Sequence, residues 1–380
     1  MTMRTMRRAA IGGATALHLL AAATRAHAQD PTGHVAVEAL ASVSVSSADD
    51  GDPFVIFDQT STVGVGRGWD VIVRPWARRM PGGDWAAEMY QLQARYTSST
   101  RIPVRLDAGI ICSPIGLSTL ELRPDVNPTI GAPFYYFVPL PGFDGNFDRV
   151  TLISGGYPVG AILSASGLHW DVRGGVTDAT PTRARSVFSS EKTPGATQFV
   201  VGGGVTPTAG LRFGGAFATG RYRIDMLSQR TMVIPDDSYG APYATNGIVA
   251  KGAPLPDGSV SVYNVEGEYA IGYTRITGEL IVDRFETMIA PAVSRGFNLL
   301  AVRTLSPRWF VAGRTVRAST PVLTGASAGR RIAKSAEATL GYRLNRTITF
   351  RAAYQGSTSF SRPTWQHAVA FSTVWSQRWW

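Results

Sequence analysis

The stretch His367–Trp380, which reads HAVAFSTVWSQRWW, decides the predicted fold. In an extended strand the side chains of Val369, Phe371, Trp375 and Trp379 share one face, because successive side chains point to opposite sides. Chain ends are usually polar and loosely held, so an apolar face of this size must be covered. The stretch therefore predicts a final strand whose edges are paired and whose aromatic face meets an apolar environment.

The same period of two recurs along the chain, for instance in Val260–Tyr273. There Tyr263 and Val265 share one face, whereas Asn264 and Glu266 share the other. Further stretches with this pattern are 90–96, 335–344 and 347–355. Alternation of this kind indicates strands with one apolar and one polar face.

Short and long connections alternate between the predicted strands, which is typical of a barrel that crosses an outer membrane. Both chain ends should then lie on the same side of the membrane, so the strand count must be even, and this requirement identifies 53–66 as a strand. The predicted strands are 34–46, 53–66, 68–79, 85–97, 102–111, 157–167, 168–178, 197–207, 210–222, 259–273, 274–287, 292–305, 307–319, 332–345, 346–358 and 366–379. The predicted fold is all-β: an antiparallel up-and-down transmembrane β-barrel of about sixteen strands.

A soluble periplasmic β-sandwich is the main alternative fold, because its strands also alternate apolar and polar residues. Two features favour the barrel. Many of the predicted strands have about 11–14 residues, whereas strands in globular proteins mostly have about 5–6 and a tilted membrane strand needs about 9–11. A sandwich of this size would also need Greek-key crossings, whereas the alternating connections predict hairpins throughout.

Residues 1–28 have the features of a secretory signal peptide: a positive start, an Ala- and Leu-rich centre and Ala26-His27-Ala28 before the cleavage position. Removal of its four arginines lowers the formal net charge from +10 to 10 − 4 = +6 for the barrel at 29–380. No run of Lys or Arg is present, so we expect no nucleic-acid partner. The sole cysteine, Cys112, excludes an internal disulfide. We expect an exported protein of a Gram-negative-type outer membrane.

Residues 104–130 read VRLDAGIICSPIGLSTLELRPDVNPTI, in which a strand leads directly into the loop sequence SPIGL. This segment resembles the strand-to-loop segment of sixteen-stranded outer-membrane porins of the phosphate-selective type. The resemblance implies a passive pore whose third outer loop folds inward and narrows the lumen. The aromatic end of the last strand is similar to the signal that barrel assembly machinery recognises.

Charged residues on the polar strand faces should line a wet lumen, because an arginine facing lipid costs about 2–4 kcal/mol at the bilayer midplane. The connection at 112–156 is the longest, and its aromatic stretch FYYFVPLPGF requires apolar cover. We therefore expect this loop to fold inward, with its charges facing the wall that carries Arg95 and Arg105. The predicted pore and constriction residues are Arg95, Arg105, Glu121, Arg123, Asp125, Arg173, Arg343 and Arg351.

These features predict a porin that lets small hydrophilic solutes diffuse across the outer membrane, with a preference for anions as a further expectation. We expect no catalytic residue, no metal site and no cofactor. The sequence at 325–329 matches a G-x-S-x-G elbow, but the helix that this motif needs does not follow it. The histidines at 34, 169 and 367 lack the paired spacing of a zinc site.

Three other functions stay open on the sequence. The chain could be a barrel with a blocked lumen that serves as an anchor, adhesin or assembly partner, an outer-membrane enzyme, or a soluble β-rich secreted protein. The expected partners are outer-membrane lipid, the barrel assembly machinery and the diffusing solutes. The sequence leaves the subunit state open, with a homotrimer as one alternative.

Overall fold

The protein's structure is a computed structural model, and it describes residues 34–79, 81–98, 100, 102–116, 123–131, 158–178, 197–222, 232–233, 248–249, 258–285, 291–322, 329–358 and 363–379. Sixteen strands in these ranges form one closed antiparallel barrel, which confirms the predicted fold class. Within the same ranges, no helix combines the length and the apolar character that a membrane crossing requires.

The strands are β1 (Val35–Ser46), β2 (Phe54–Gly66), β3 (Trp69–Arg79), β4 (Trp85–Thr97), β5 (Val104–Ile110), β6 (Val159–Ser166), β7 (Trp170–Asp178), β8 (Thr197–Thr208), β9 (Leu211–Tyr222), β10 (Met232–Val233), β11 (Ile248–Val249), β12 (Gly258–Ile271), β13 (Thr274–Phe285), β14 (Ala292–Thr304), β15 (Trp309–Val322), β16 (Gly329–Arg343), β17 (Ile348–Thr358) and β18 (Gln366–Trp379). Each barrel strand pairs with its neighbours along the chain, with two exceptions. β9 pairs with β12, since β10 and β11 form a separate two-stranded sheet, and β1 pairs with β18 to close the barrel.

Every predicted strand is present in the barrel, including 53–66, which only the parity argument identified and which forms β2. The largest difference in boundaries lies between β15 and β16. The sequence predicts a connection over 320–331, but the strand pairing continues to Val322 and Gly329. Pairing depends on backbone hydrogen bonds, so it extends past the point at which the apolar alternation stops.

The connections are short at one end of the barrel and mostly longer at the other. The short-turn end carries the connections 67–68, 98–103, 167–169, 209–210, 272–273, 305–308 and 344–347. The long-connection end carries 47–53, 80–84, 111–158, 179–196, 223–257, 286–291, 323–328 and 359–365. The turn after β2 is among the tightest, and Arg67 at its centre has a φ of 53°, flanked by glycines with φ of 88° and 83°.

The barrel strands place mostly apolar side chains on the outside and mostly polar side chains on the inside, which is the reverse of a soluble domain. On β12, Tyr263 and Val265 point outward and are 48% and 62% exposed. The alternating residues Asn264 and Glu266 point into the barrel and are 3% and 2% exposed. The apolar face predicted from the alternation is therefore the outer face, and the polar face lines the interior.

Pairs of aromatic rings lie on the outer surface toward each end of the barrel. At the short-turn end, ring centroids are 5.1 Å apart in Trp69 and Tyr96, 4.7 Å in Trp309 and Tyr342, and 6.0 Å in Trp375 and Trp379. At the long-connection end, Phe57 stacks on Trp85 at 5.7 Å. Aromatic side chains at two levels of a barrel are typical of the two interfaces between a membrane and water.

The final strand closes the barrel as the sequence predicts. β18 pairs with β1 from Trp379 opposite Val37 to Ala370 opposite Ser46. The side chains buried beneath this seam are Leu40, Ile56, Trp76 and Val374. The aromatic side chains of β18 therefore remain on the outer surface while both edges of the strand are hydrogen-bonded.

Candidate functional site: a chain segment anchored inside the barrel

The connection between β5 and β6 enters the barrel interior. Its first residues are held against the wall, since Arg173 of β7 donates from Nε to the carbonyl oxygen of Pro114 at 2.6 Å. Ile111 and Ile115 are buried there, at 1% and 3% exposure. The structure next describes residues 123–131 of this connection, which we call the inner segment.

Glu337 of β16 binds the backbone of the inner segment directly. Its carboxylate accepts hydrogen bonds from the amides of Ile130 at 2.6 Å and Gly131 at 2.9 Å. Thr339 and Gln355 also donate to this carboxylate, at 2.7 and 3.1 Å, and hold it in place. A charged acceptor with two backbone donors forms a strong and directional attachment.

Two arginines on the strands that flank Glu337 bind the carbonyl oxygens of the same segment. Arg314 of β15 donates to the carbonyl of Gly131 at 2.8 Å and to the side chain of Asn127 at 3.0 Å. Arg351 of β17 donates to the carbonyls of Asn127 and Thr129, the latter at 2.8 Å. Arg314, Glu337 and Arg351 thus form a loop-anchoring cluster on three adjacent strands.

Hydrogen bonds within the inner segment also hold its conformation. Asn127 accepts hydrogen bonds on Oδ1 from the amide and hydroxyl of Thr129, at 3.0 and 2.8 Å, and donates to the carbonyl of Gly131 at 3.0 Å. Gly131 fits closely against the wall, because a Cβ atom there would lie 2.7 Å from Oε2 of Glu337. The segment therefore presents a fixed backbone surface to the anchoring side chains.

The beginning of the inner segment carries an ion pair that lies near the closing seam. Arg123 binds Asp125 at 2.8 Å and Glu38 of β1 at 3.5 Å, and Glu38 also lies 3.5 Å from Arg378 of β18. Burial disfavours the charged form of Arg123, but the hydrogen bond and the attraction to Asp125 outweigh it, and the pKa of Arg123 is raised above its ordinary value.

The wall of β4 and β5 uses its charges differently. Asp107 binds Arg95 at 2.7 Å and Arg105 at 2.8 Å, and it also accepts a hydrogen bond from Gln93 at 2.8 Å. We call Arg95, Arg105 and Asp107 the Asp107 cluster. Its described contacts lie within the wall, and they do not include Arg123 or Asp125.

A second wall network surrounds Arg173, on β7, β9 and β12. Arg212 binds Glu266 at 2.7 Å and Asp171 at 3.0 Å. Arg173 lies 3.7 Å from Asp171 and 3.8 Å from Glu266, in addition to its bond to Pro114. Arg173 therefore joins the beginning of the long connection to the charges of the wall.

A cavity of about 630 Å³ lies below the inner segment, at the short-turn end. Its charged lining residues are Asp125, Arg275, Arg343, Arg346 and Arg351. The guanidinium of Arg343 stacks over the ring of Phe310, 4.7 Å from the centroid. Four arginines and one aspartate thus line this space.

The predicted site residues fall into separate groups in the structure. Arg343 and Arg351 line the cavity, Arg123 and Asp125 lie in the inner segment, and Arg173 contacts the start of the connection. Arg95 and Arg105 belong to the Asp107 cluster. Glu121 and the aromatic stretch 134–143 lie outside the described residues.

The predicted site residues do not include Arg314 or Glu337, although Glu337 lies within the alternating stretch 335–344. Both side chains point into the barrel in the structure, and the two residues lie opposite each other in the pairing of β15 and β16. If the register of these two strands had been known, the pair of an inward arginine and an inward glutamate would have indicated this part of the site.

Several solved structures share this fold. OmpT without its loop L8, an outer membrane protein of Vibrio cholerae, is 11% identical over 92% of this chain and 100% of that chain, with a TM-score of 0.57. OprB of Pseudomonas putida is 8% identical over 94% of this chain and 96% of that chain, with a TM-score of 0.56. Salmonella typhi OmpF, solved in complex with daunomycin, is 12% identical over 91% of this chain and 97% of that chain, with a TM-score of 0.55.

Sequence comparison adds no closer relationship. No model of a known protein family matches the chain, and no curated protein matches it. Because the structural matches have such low identities, they show a common fold and assign no role to individual residues.

Proposed function

We propose that this protein is an outer-membrane porin that allows passive diffusion of small hydrophilic solutes. One observation carries the proposal: a segment of the chain is anchored across the polar interior of a closed barrel, above a charged cavity. A segment held to one wall by its backbone narrows a lumen at a defined level. Such a constriction, lined by charges, is how a diffusion pore selects by size and charge.

A membrane location follows from the surface of the barrel. Most exposed side chains in the middle of its outer face are apolar, whereas most buried charged side chains of its strands point inward, where they require water or ionic partners. Among the proteins of similar fold, OmpT is described as an outer membrane protein. We propose that residues 1–28 direct export, and that the mature barrel at 29–380 is inserted by barrel assembly machinery that binds β18.

We also propose that the pore prefers anions. The cavity has four arginines and one aspartate among its lining residues, so its electrostatic potential favours negative solutes. The finer assignment to the phosphate-selective type rests on the resemblance of residues 104–130 alone. The charges of the Asp107 cluster contribute less to this preference, since they largely neutralise one another.

A barrel with a blocked lumen is the second candidate, and a specific observation favours it. Toward the long-connection end, inward-facing apolar side chains have almost no exposure: Val260 1%, Val262 0%, Ile281 0%, Val316 1% and Ala318 0%. These side chains are enclosed rather than solvated. A lumen filled along this part of the wall would account for their low exposure, and this is what a blocked barrel predicts.

Single-channel conductance of the refolded chain in a planar bilayer separates the two candidates. The porin predicts stepwise currents in a phosphatidylcholine membrane and, across a salt gradient, a reversal potential of anionic sign. Folded barrels resist SDS until they are heated, so a mobility shift on heating verifies that the sample is folded. A heat-shifting protein that inserts without conducting would favour the blocked barrel, and a cationic reversal potential would contradict the anion preference.

A further inference from the structure

Four basic side chains form a cluster on the outer surface of the barrel, close to the long-connection end. Arg295 lies on β14, Arg317 on β15, and Arg330 and Lys334 lie on β16. Arg317 is directly opposite Lys334 in the strand pairing. We call these four residues the basic rim.

The strand register and hydrogen bonds bring the four residues together. Ser319 lies opposite Arg295 on the next strand, and Arg330 donates to the hydroxyl of Ser319 at 2.7 Å. Arg330 also donates to the carbonyl of Val293 at 3.0 Å, two residues before Arg295. Arg295 and Arg317 are close enough to repel the charge of Arg330.

Among the described residues, the outer surface around the rim offers no acidic partner. On the outward faces of β13–β16, the described residues include no Asp or Glu. The acids of these strands, such as Glu337 and Asp283, point into the barrel. None of the four rim residues takes part in an ion pair within the described part of the chain. Like charges opposite each other in a sheet are unfavourable, so an external anion would stabilise this arrangement.

The rim lies at a level where lipid head groups would meet the barrel. Arg295 lies opposite Val282 in the strand pairing, and Val282 lies opposite Tyr263. The rim is therefore in the same row of outward-facing residues as an aromatic side chain. Toward the short-turn end, the same surface becomes apolar, and its exposed residues include Leu280, Leu299 and Leu340. Basic side chains just outside an apolar band are placed for the interface and cost little there.

We propose that the basic rim binds the phosphate groups of anionic lipids in the outer leaflet of the membrane. The inference rests on the proposed outer-membrane location. Guanidiniums bind phosphate oxygens in a bidentate manner, and the Lys334 ammonium adds a further positive charge beside them. A second copy of this chain would instead bring the same positive charges to the contact.

The test uses the folded full chain in phosphatidylcholine bilayers, with and without lipid A, as the phosphate-bearing lipid, in the leaflet that meets the long-connection end. We compare the wild type with Arg295→Gln/Arg317→Gln, and with the matched control Arg303→Gln/Arg308→Gln, which removes two charges near the short-turn end. Each basic residue near an anionic lipid surface contributes about fivefold, so the rim variant should bind lipid A about 25-fold more weakly than wild type. The control should bind as the wild type does.

Other outcomes overturn the proposal. Equal binding of lipid A by all three proteins would show that the rim does not hold it. If inorganic phosphate competed for the rim as effectively as lipid A does, the rim would be a site for free anions. A change of subunit state in the rim variant would identify a contact between copies. Conductance in pure phosphatidylcholine distinguishes failure of the rim proposal from failure of the porin proposal. A wild type that conducts but does not prefer lipid A refutes only the proposal that the rim binds lipid. A wild type that neither inserts nor conducts refutes both proposals.

Discussion

Two clusters inside the barrel have the same composition but bind different partners. The loop-anchoring cluster and the Asp107 cluster each contain two arginines and one carboxylate on neighbouring strands. In the Asp107 cluster the carboxylate binds both arginines, at 2.7 and 2.8 Å. In the loop-anchoring cluster, Glu337 binds backbone amides and the arginines bind backbone carbonyls of the inner segment.

The difference shows that the solvent exposure of an inward-facing charge determines how much its contacts contribute to stability. The Asp107 pairs lie partly in solvent, with the side chains of Arg95 and Arg105 30% and 49% exposed, so each contributes little to stability. Arg314 and Arg351 are buried at 5% exposure, where a hydrogen bond to a charged group is worth about 1.5–3 kcal/mol. The Asp107 cluster therefore keeps its charges partly in solvent, whereas the loop-anchoring cluster holds the backbone of the inner segment at one place on the wall.

The largest effect is expected for Glu337→Gln, which keeps the shape of the side chain and removes its charge. The glutamine can accept from only one of the two amides and places its NH₂ group against the other, so about 3 kcal/mol of attachment is lost. We expect the inner segment to detach and single-channel conductance to increase. Glu268→Gln on β12 is the matched control, since it neutralises an inward carboxylate that has no described contact to the segment. Equal conductance of both variants would place the constriction elsewhere.

A smaller effect is expected for Gly131→Ala, which leaves every charge in place. The added Cβ would lie 2.7 Å from Oε2 of Glu337 and must displace the segment or the carboxylate. Overpacking of this kind costs about 1–3 kcal/mol, and denaturant unfolding of the refolded barrel measures it. Gly313→Ala on β15 is the control, because the nearest atom to its Cβ is 3.9 Å away. Similar losses for both variants would mean that the fit at Gly131 is not tight.

The smallest change in stability is expected for Asp107→Asn. Replacing the carboxylate frees Arg95 and Arg105, while the loop-anchoring cluster remains intact. The reversal potential in a salt gradient should shift toward anions, and the conductance should stay within the range of the wild type. Asp84→Asn, in an exposed connection outside the lumen, is the control and should leave the reversal potential unchanged. A large rise in conductance would show that the Asp107 cluster also supports the constriction.

The barrel could be predicted from the sequence because its organising signal is local. Alternation depends only on successive side chains pointing to opposite faces, so each strand can be recognised without knowing its partners. β2 is the clearest case, since the need for an even number of strands identified it. The end of β15 and the start of β16 were misplaced because backbone pairing continues after the alternation stops.

The candidate site could be predicted only in part. Sequence alternation assigned Arg351, Arg343, Arg95 and Arg105 to the inward faces. The inward-loop argument predicts that Glu121, Arg123 and Asp125 face the wall of Arg95 and Arg105, and the structure adds Asp107 as a partner of both arginines. The partners of Arg351 in the inner segment are carbonyls that lie 224 and 222 residues away in the chain, and no local pattern indicates them.

The sequence by itself determined which side chains face outward, which face the lumen, and how many strands the barrel needs. The tertiary structure alone decided which inward charges meet. The pairing of β15 with β16 places Arg314 opposite Glu337, and the next strand of the closed barrel carries Arg351. These contacts depend on the geometry of the whole closed sheet, whereas the alternation of faces is a property of each strand alone.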